Sequence, residues 1–222
     1  MSQSACEMLR RDCADMWAKI HDHPFLREMA DGSLPTSKFA FYVGQNLLFL
    51  PELAKAAAIG VAKATDEVSM RDFSEVVGNV LNLEIPKNRE LLKEVATDGP
   101  AQLTMAPANL AYTRHLITVA YEGGAANILA SFTPCSWSYG ELGRAYAAKR
   151  PIDQPAYDRW FEFFSGTEYW ETLEAGKSRL DRLCAGLGEA EMRHVSDIFR
   201  VSTQLEYLFW DMAYTMQGWP VS

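Results

Sequence analysis

Apolar residues recur at three- to five-residue steps along most of the chain, and that period predicts helix after helix. Met8, Cys13, Met16 and Ile20 line one face of a first helix that Ser4 is placed to cap and His23-Pro24 interrupts. After a break from Gly32 to Pro35, Thr36 or Ser37 is placed to cap a long second helix. Phe39, Tyr42, Asn46, Phe49 and Leu53 share a face of it, and Pro51 is expected to kink it. A third stretch runs from about Glu67 to Ala96 with Val76, Val80, Leu83 and Leu91 in register and Pro86 as a second kink. Thr97 to Pro107 reads as the longest turn-rich connector. The next helix, Pro107 to Tyr121, ends at Gly123-Gly124, and the segment carrying Cys135 follows to about Arg150. Beyond a loop from Pro151 to Pro155, helices are expected over Tyr157 to Phe164, Tyr169 to Leu187 and Glu189 to Met216. Period-two runs of β-branched residues are absent. The expected fold is therefore all-α: one domain over residues 1–222, a helical bundle of about seven or eight helices.

Composition narrows the partners. A formal net charge of −8 and the lack of a Lys/Arg cluster argue against nucleic acid, whose phosphates call for a basic patch. No run of about 18 apolar residues is present to span a bilayer, and the N-terminal stretch lacks the apolar core of a secretion signal. The four cysteines, Cys6, Cys13, Cys135 and Cys184, form no CxxC pair. Reduced thiols and a cytoplasmic location are expected.

One of those thiols stands in an unusual setting. In Thr133-Pro134-Cys135-Ser136-Trp137-Ser138-Tyr139 the proline removes an amide donor and bends a helix, and Tyr139, four residues on, returns to the face of Cys135. A buried cysteine acting as a small hydrophobe is the bland alternative. The last helix supplies a possible partner, because Glu206 keeps helical spacing with Phe199, Ser202, Phe209 and Ala213 and so falls on an apolar stripe. A carboxylate there must be paired, hydrogen-bonded or raised in pKa. Tyr112 is a third candidate, and His115 beside it reads as a packed or capping residue. A single ExxH, Glu191 to His194, lacks the second copy and the two further glutamates of a di-iron bundle, so no metal is expected. Gly123-Gly124 is not followed by the lysine and hydroxyl of a phosphate loop, and no cofactor is expected.

Taken together, the motifs resemble the TenA family, also called thiaminase II, over nearly the whole chain. They are His23-Pro24-Phe25, Phe41-Tyr42-Val43-Gly44-Gln45, Tyr112-Thr113-Arg114-His115-Leu116, Pro134-Cys135-Ser136-Trp137-Ser138-Tyr139, Tyr157-Asp158-Arg159-Trp160, and Glu206 through Ala213, in the family's order. The resemblance implies a haem-oxygenase-like all-α fold and a homotetramer. It also implies hydrolysis of thiamin-derived aminopyrimidines in thiamin salvage, with Cys135 as nucleophile and Glu206 as proton donor and acceptor. A pocket for a small pyrimidine would be formed by Asn46, Phe49, Tyr112, Tyr139, Phe164 and Phe209. Three of these depart from the family's pattern: Asn46 stands where an aspartate is usual, and Phe49 and Phe164 stand for tyrosines. The expectation is an altered pocket that has lost one carboxylate and two phenols around a retained nucleophile and acid. A non-catalytic pyrimidine binder, a hydrolase of another heterocycle and an indirect regulator are the alternatives.

Overall fold

A computed structural model describes residues 4–96, 104–147 and 154–221, and every element within them is helical. Helices α1 (Ala5–Asp12) and α2 (Ala14–His21) divide what the apolar period reads as one helix. The division falls at Cys13, whose N–H bonds back only three residues, to Arg10 O at 3.3 Å. That tighter turn lets α1 lie on a late helix, where the Cys6 N–H meets the Asp181 carboxylate at 2.8 Å, while α2 turns its buried Trp17 into the core. Ser4 caps α1 as expected, its hydroxyl accepting from the Glu7 N–H.

His23 starts α3 (Pro24–Asp31): its Nδ1 accepts from the Phe25 N–H at 3.2 Å, and Pro24 fills the first turn, where no donor is needed. Gly32, at φ 80°, ends α3 in the left-handed region that glycine tolerates best. The central helix α4 (Thr36–Lys63) then runs without a break through Pro51. Its cap is Pro35, which has no side-chain oxygen; Thr36 is already the first helical residue, so neither Thr36 nor Ser37 caps it.

The stretch from Glu67 is continuous but not uniform. α5 (Glu67–Asn79) passes into a π-helical turn, Val80–Glu84, and then into α6 (Ile85–Val95). In place of a simple kink at Pro86, the Ile85 N–H reaches back five residues to Val80 O. A proline has no N–H and its ring crowds the carbonyl four residues earlier, and widening the preceding turn relieves that crowding.

Gln45 of α4 fixes the entry to α7 (Pro107–Glu122). Its amide donates to Thr104 O, and its oxygen accepts from the Ala106 N–H and from Asn109 Nδ2, all within 3.0 Å. Lys63, ending α4, donates to the terminal carbonyls of α7 at Ala120, Tyr121 and Gly123, where a cation also meets the negative end of the helix dipole. α8 (Ala125–Ala147) continues through Pro134 as one helix, so the thiol-bearing segment is not broken. It is followed by α9 (Pro155–Ser165), α10 (Thr167–Cys184) and α11 (Glu189–Thr215). Parts of the expected connectors, residues 97–103 and 148–153, lie outside the described residues.

Helices α4, α8 and α11 meet around an aromatic centre. Tyr42 and Trp210 stack at 5.2 Å, and Phe25, Phe39, Phe161 and Phe199 are fully enclosed nearby. α8 and α9 approach closely at Gly143, where a Cβ would fall 2.6 Å from the backbone of Phe164. Among the described residues no helix is long and apolar enough to cross a membrane.

Candidate active site

A cavity of about 160 Å³ lies between α4, α5, the π turn, α8, α9 and α10. A cavity of about 150 Å³ in another protein holds a benzene ring, so this one suits a single six-membered ring. Phe49 and Leu50 from α4, Leu129 and Phe132 from α8 and Phe164 from α9 supply its apolar walls. Asn46, Glu84, Cys135, Tyr139 and Tyr169 supply polar atoms.

Tyr139 and Tyr169 are held from behind. Trp160 Nε1 donates to the Tyr42 hydroxyl at 3.0 Å, and Tyr42 donates to the Tyr139 hydroxyl at 3.2 Å. Tyr169 donates to Ser136 O at 2.7 Å, tying α10 to α8 next to Cys135. Phe164 packs edge-on to Tyr139 at 4.9 Å and to Tyr169 at 5.0 Å.

Behind the thiol, Glu206 is fully enclosed on α11 and is not itself part of the cavity lining. The Tyr112 hydroxyl donates to its Oε1 at 2.7 Å, while Oε2 is buried without a partner of regular hydrogen-bond geometry. Burial pushes the Glu206 carboxyl up to about 7, against smaller lowering effects of Tyr112 and of the adjacent Cys135 thiol. The thiol is itself pushed well above its usual range, first by burial and then by the charges of Glu206 and Glu84. At rest Cys135 is therefore a neutral thiol. A carboxylate titrating near neutrality lies beside it and can take its proton when something in the cavity stabilises the sulfur's new bond.

Residues 10–216 match the model of the TENA/THI-4/PQQC family. The chain belongs to this family. It is 32% identical to an aminopyrimidine aminohydrolase of Halalkalibacterium halodurans across 92% of each sequence. The solved TenA homologue from P. horikoshii OT3 superposes with a TM-score of 0.82 at 27% identity, covering 96% of this chain and 99% of that one. Haem oxygenase-1 from the cyanobacterium Synechocystis, at 14% identity, shares the fold alone, with a TM-score of 0.63 over 94% of this chain and 91% of the other. The all-α, haem-oxygenase-like architecture expected from the sequence is thus the one observed.

In this TenA chain four of the anticipated pyrimidine-site residues, Asn46, Phe49, Tyr139 and Phe164, line the cavity together with Cys135. Tyr112 and Phe209 do not. Tyr112 stands in a second layer, holding Glu206 and packing its ring on Phe49 at 5.0 Å. Phe209 supports Phe49 from the side at 5.6 Å. His115 is a packed residue whose Nε2 pairs with the Ser202 hydroxyl at 2.9 Å. Glu191 of the ExxH pair is spent on the Gly188 N–H at the start of α11.

Among the cavity groups that escaped the sequence reading are Tyr169 and Glu84. Tyr169 opens α10 among charged neighbours and carries no local mark of a pocket residue. Glu84 has one mark in retrospect: it stands two residues before a proline, where a helix must deform. The pocket has therefore not simply lost a carboxylate and two phenols, because a carboxyl and a phenol reach it from other helices.

Proposed function

We propose that this chain hydrolyses thiamin-derived aminopyrimidines in thiamin salvage, with Cys135 as nucleophile and Glu206 as acid and base. The observation that carries the reading is a neutral thiol at the wall of a cavity sized for one ring, with a carboxyl of pKa about 7 adjacent to it from behind. The chain is a thiaminase II-like hydrolase, as its similarity to an aminopyrimidine aminohydrolase over nearly its full length supports.

The chemistry follows from the electrophile. A neutral aminopyrimidine resists addition until a ring nitrogen is protonated. Glu206 as carboxylate takes the Cys135 proton while the sulfur bonds to a ring carbon, and the carboxylic acid so formed returns the proton to the departing group on the exocyclic methylene. Loss of that group leaves a conjugated exocyclic double bond. Water adds to the methylene carbon and gives its proton to Glu206, and the C–S bond then breaks, restoring the thiol and the aromatic ring. The net change is replacement of an amine by hydroxyl, with ammonia released. Covalent attachment divides one difficult displacement into two easier steps.

Tyr139 and the faces of Phe49 and Phe164 position the ring, and Asn46 reads its polar edge. A cytoplasmic homotetramer is part of the same proposal and rests on family resemblance. The decisive experiment supplies the purified protein with a 4-amino-2-methylpyrimidine bearing an aminomethyl arm and follows ammonia. Cys135→Ser is expected to lower turnover at least about 1,000-fold with its thermal unfolding unchanged. A folded variant that keeps full activity would remove the covalent mechanism, and a native protein that binds the compound without releasing ammonia would make the chain a binding protein.

A further inference from the structure

The cavity holds a second carboxyl that the reaction above does not use. Glu84 closes the π turn and lines the cavity, as Asn46 and Asn79 do. Among the described residues no donor reaches its carboxylate oxygens. Its main chain is tied down: Asn88 Nδ2 donates to Glu84 O at 2.9 Å, and Asn46 Nδ2 donates to Asn88 Oδ1 at 3.0 Å. That bridge sets the orientation of Asn46, whose Oδ1 is left as an acceptor at the cavity wall.

The groups around Glu84 offer no compensation for its charge. α8 contributes Cys135 and Tyr139, α10 contributes Tyr169, and α11 contributes Glu206; none of these is a cation. Lys177 and Arg179 of α10 line the same cavity, but Lys177 is paired with Glu7 and Glu174, and Arg179 with Asp72 and Glu75. Burial alone accounts for the rise of the Glu84 carboxyl to about 7. An uncompensated, cavity-facing carboxyl with open acceptor positions calls for a ligand that brings both positive charge and N–H donors.

We propose that Glu84 is the counter-ion of the pyrimidine ring: its carboxylate binds the amidine edge of a ring-protonated 4-aminopyrimidine, and Asn46 Oδ1 accepts from the exocyclic amine. This rests on the aminopyrimidine reading of the same cavity. A protonated amidine edge presents two N–H donors side by side in one plane, the arrangement that a carboxylate accepts in bidentate fashion. Asparagine at position 46 can accept a hydrogen bond but brings no charge to hold the ring proton, and Glu84 brings it from another helix. The protonated ring is also the form that accepts the Cys135 sulfur.

The test uses 4-amino-2,5-dimethylpyrimidine, which has the ring and no leaving group, so that binding is measured without turnover. Titration calorimetry at pH 8, in buffers of different ionisation enthalpy, reads affinity and proton uptake together. The native protein is expected to take up a proton on binding. Glu84→Gln is expected to bind at least about tenfold more weakly, the equivalent of one pKa unit, with no uptake. Glu84→Asp keeps the charge and is expected to retain uptake at reduced affinity, which also covers a glutamine variant that fails to fold. Binding by Glu84→Gln within threefold of native, weakened binding with undiminished proton uptake, or a native protein that does not bind the analogue would overturn the proposal. Ammonia release from the aminomethyl compound is measured separately. A native protein that binds the analogue with proton uptake but releases no ammonia defeats the hydrolase reading alone, while an active native enzyme indifferent to Glu84→Gln defeats this inference alone.

Discussion

Tyr112 shows how one side chain sets the working range of another. Its hydroxyl is spent on Glu206 Oε1, and that bond lowers a carboxyl which burial pushes up to about 7. Removing the phenol in Tyr112→Phe leaves burial less opposed, so the Glu206 pKa moves higher still. The proposed first step needs Glu206 as carboxylate to accept the thiol proton. The rising limb of rate against pH should therefore shift to higher pH, and the rate at pH 7 should fall by up to about tenfold for each pKa unit moved. A pH profile of kcat for native and variant protein checks this, and an unshifted limb would mean that Glu206 is not the group being titrated.

At the scale of elements, the cavity depends on close helix approach and on one irregular turn. α8 and α9 come together because residue 143 has no side chain, and Phe164, which walls the cavity, sits directly against that glycine. Gly143→Ala should push α9 outward, costing about 1–3 kcal/mol as overpacking does, and should displace Phe164 from Tyr139. Denaturant unfolding measures the first effect, and a raised KM with a lesser change in kcat reports the second. Stability equal to native would show that the contact yields easily. The π turn works in the opposite direction, adding room where Pro86 would otherwise clash, and Glu84 at its end lines the cavity.

For the whole molecule, two carboxyls raised to about 7 are a cost that the fold carries for its site. The sign is opposite to that of a salt-bridged carboxylate. Glu84 has a folded pKa above its ordinary 4.5, so its contribution to stability is fully present below about pH 4.5 and is lost as pH rises to about 7. Glutamine removes that titration. The melting temperature of Glu84→Gln relative to native should rise across that window and level off above it. Thermal melts at several pH values test this, and a difference independent of pH would contradict the burial of an ionisable group at this position.

Much of this protein is readable in the chain alone, because helical periodicity and capping act over a few residues. The all-α class, the Ser4 cap, the breaks at His23-Pro24 and Gly123-Gly124, and the suspicion attached to Cys135 and Glu206 all rest on such short-range patterns. Where competing local preferences are nearly balanced, packing decided: Cys13 divides one predicted helix, whereas Pro51 and Pro134 leave theirs intact. Only the tertiary structure could move Tyr112 behind the acid and bring Glu84 into the pocket beside Asn46. Residues 46, 84, 135 and 206 are far apart in sequence, and the burial that gives two of them their unusual pKa values exists only after the helices have packed.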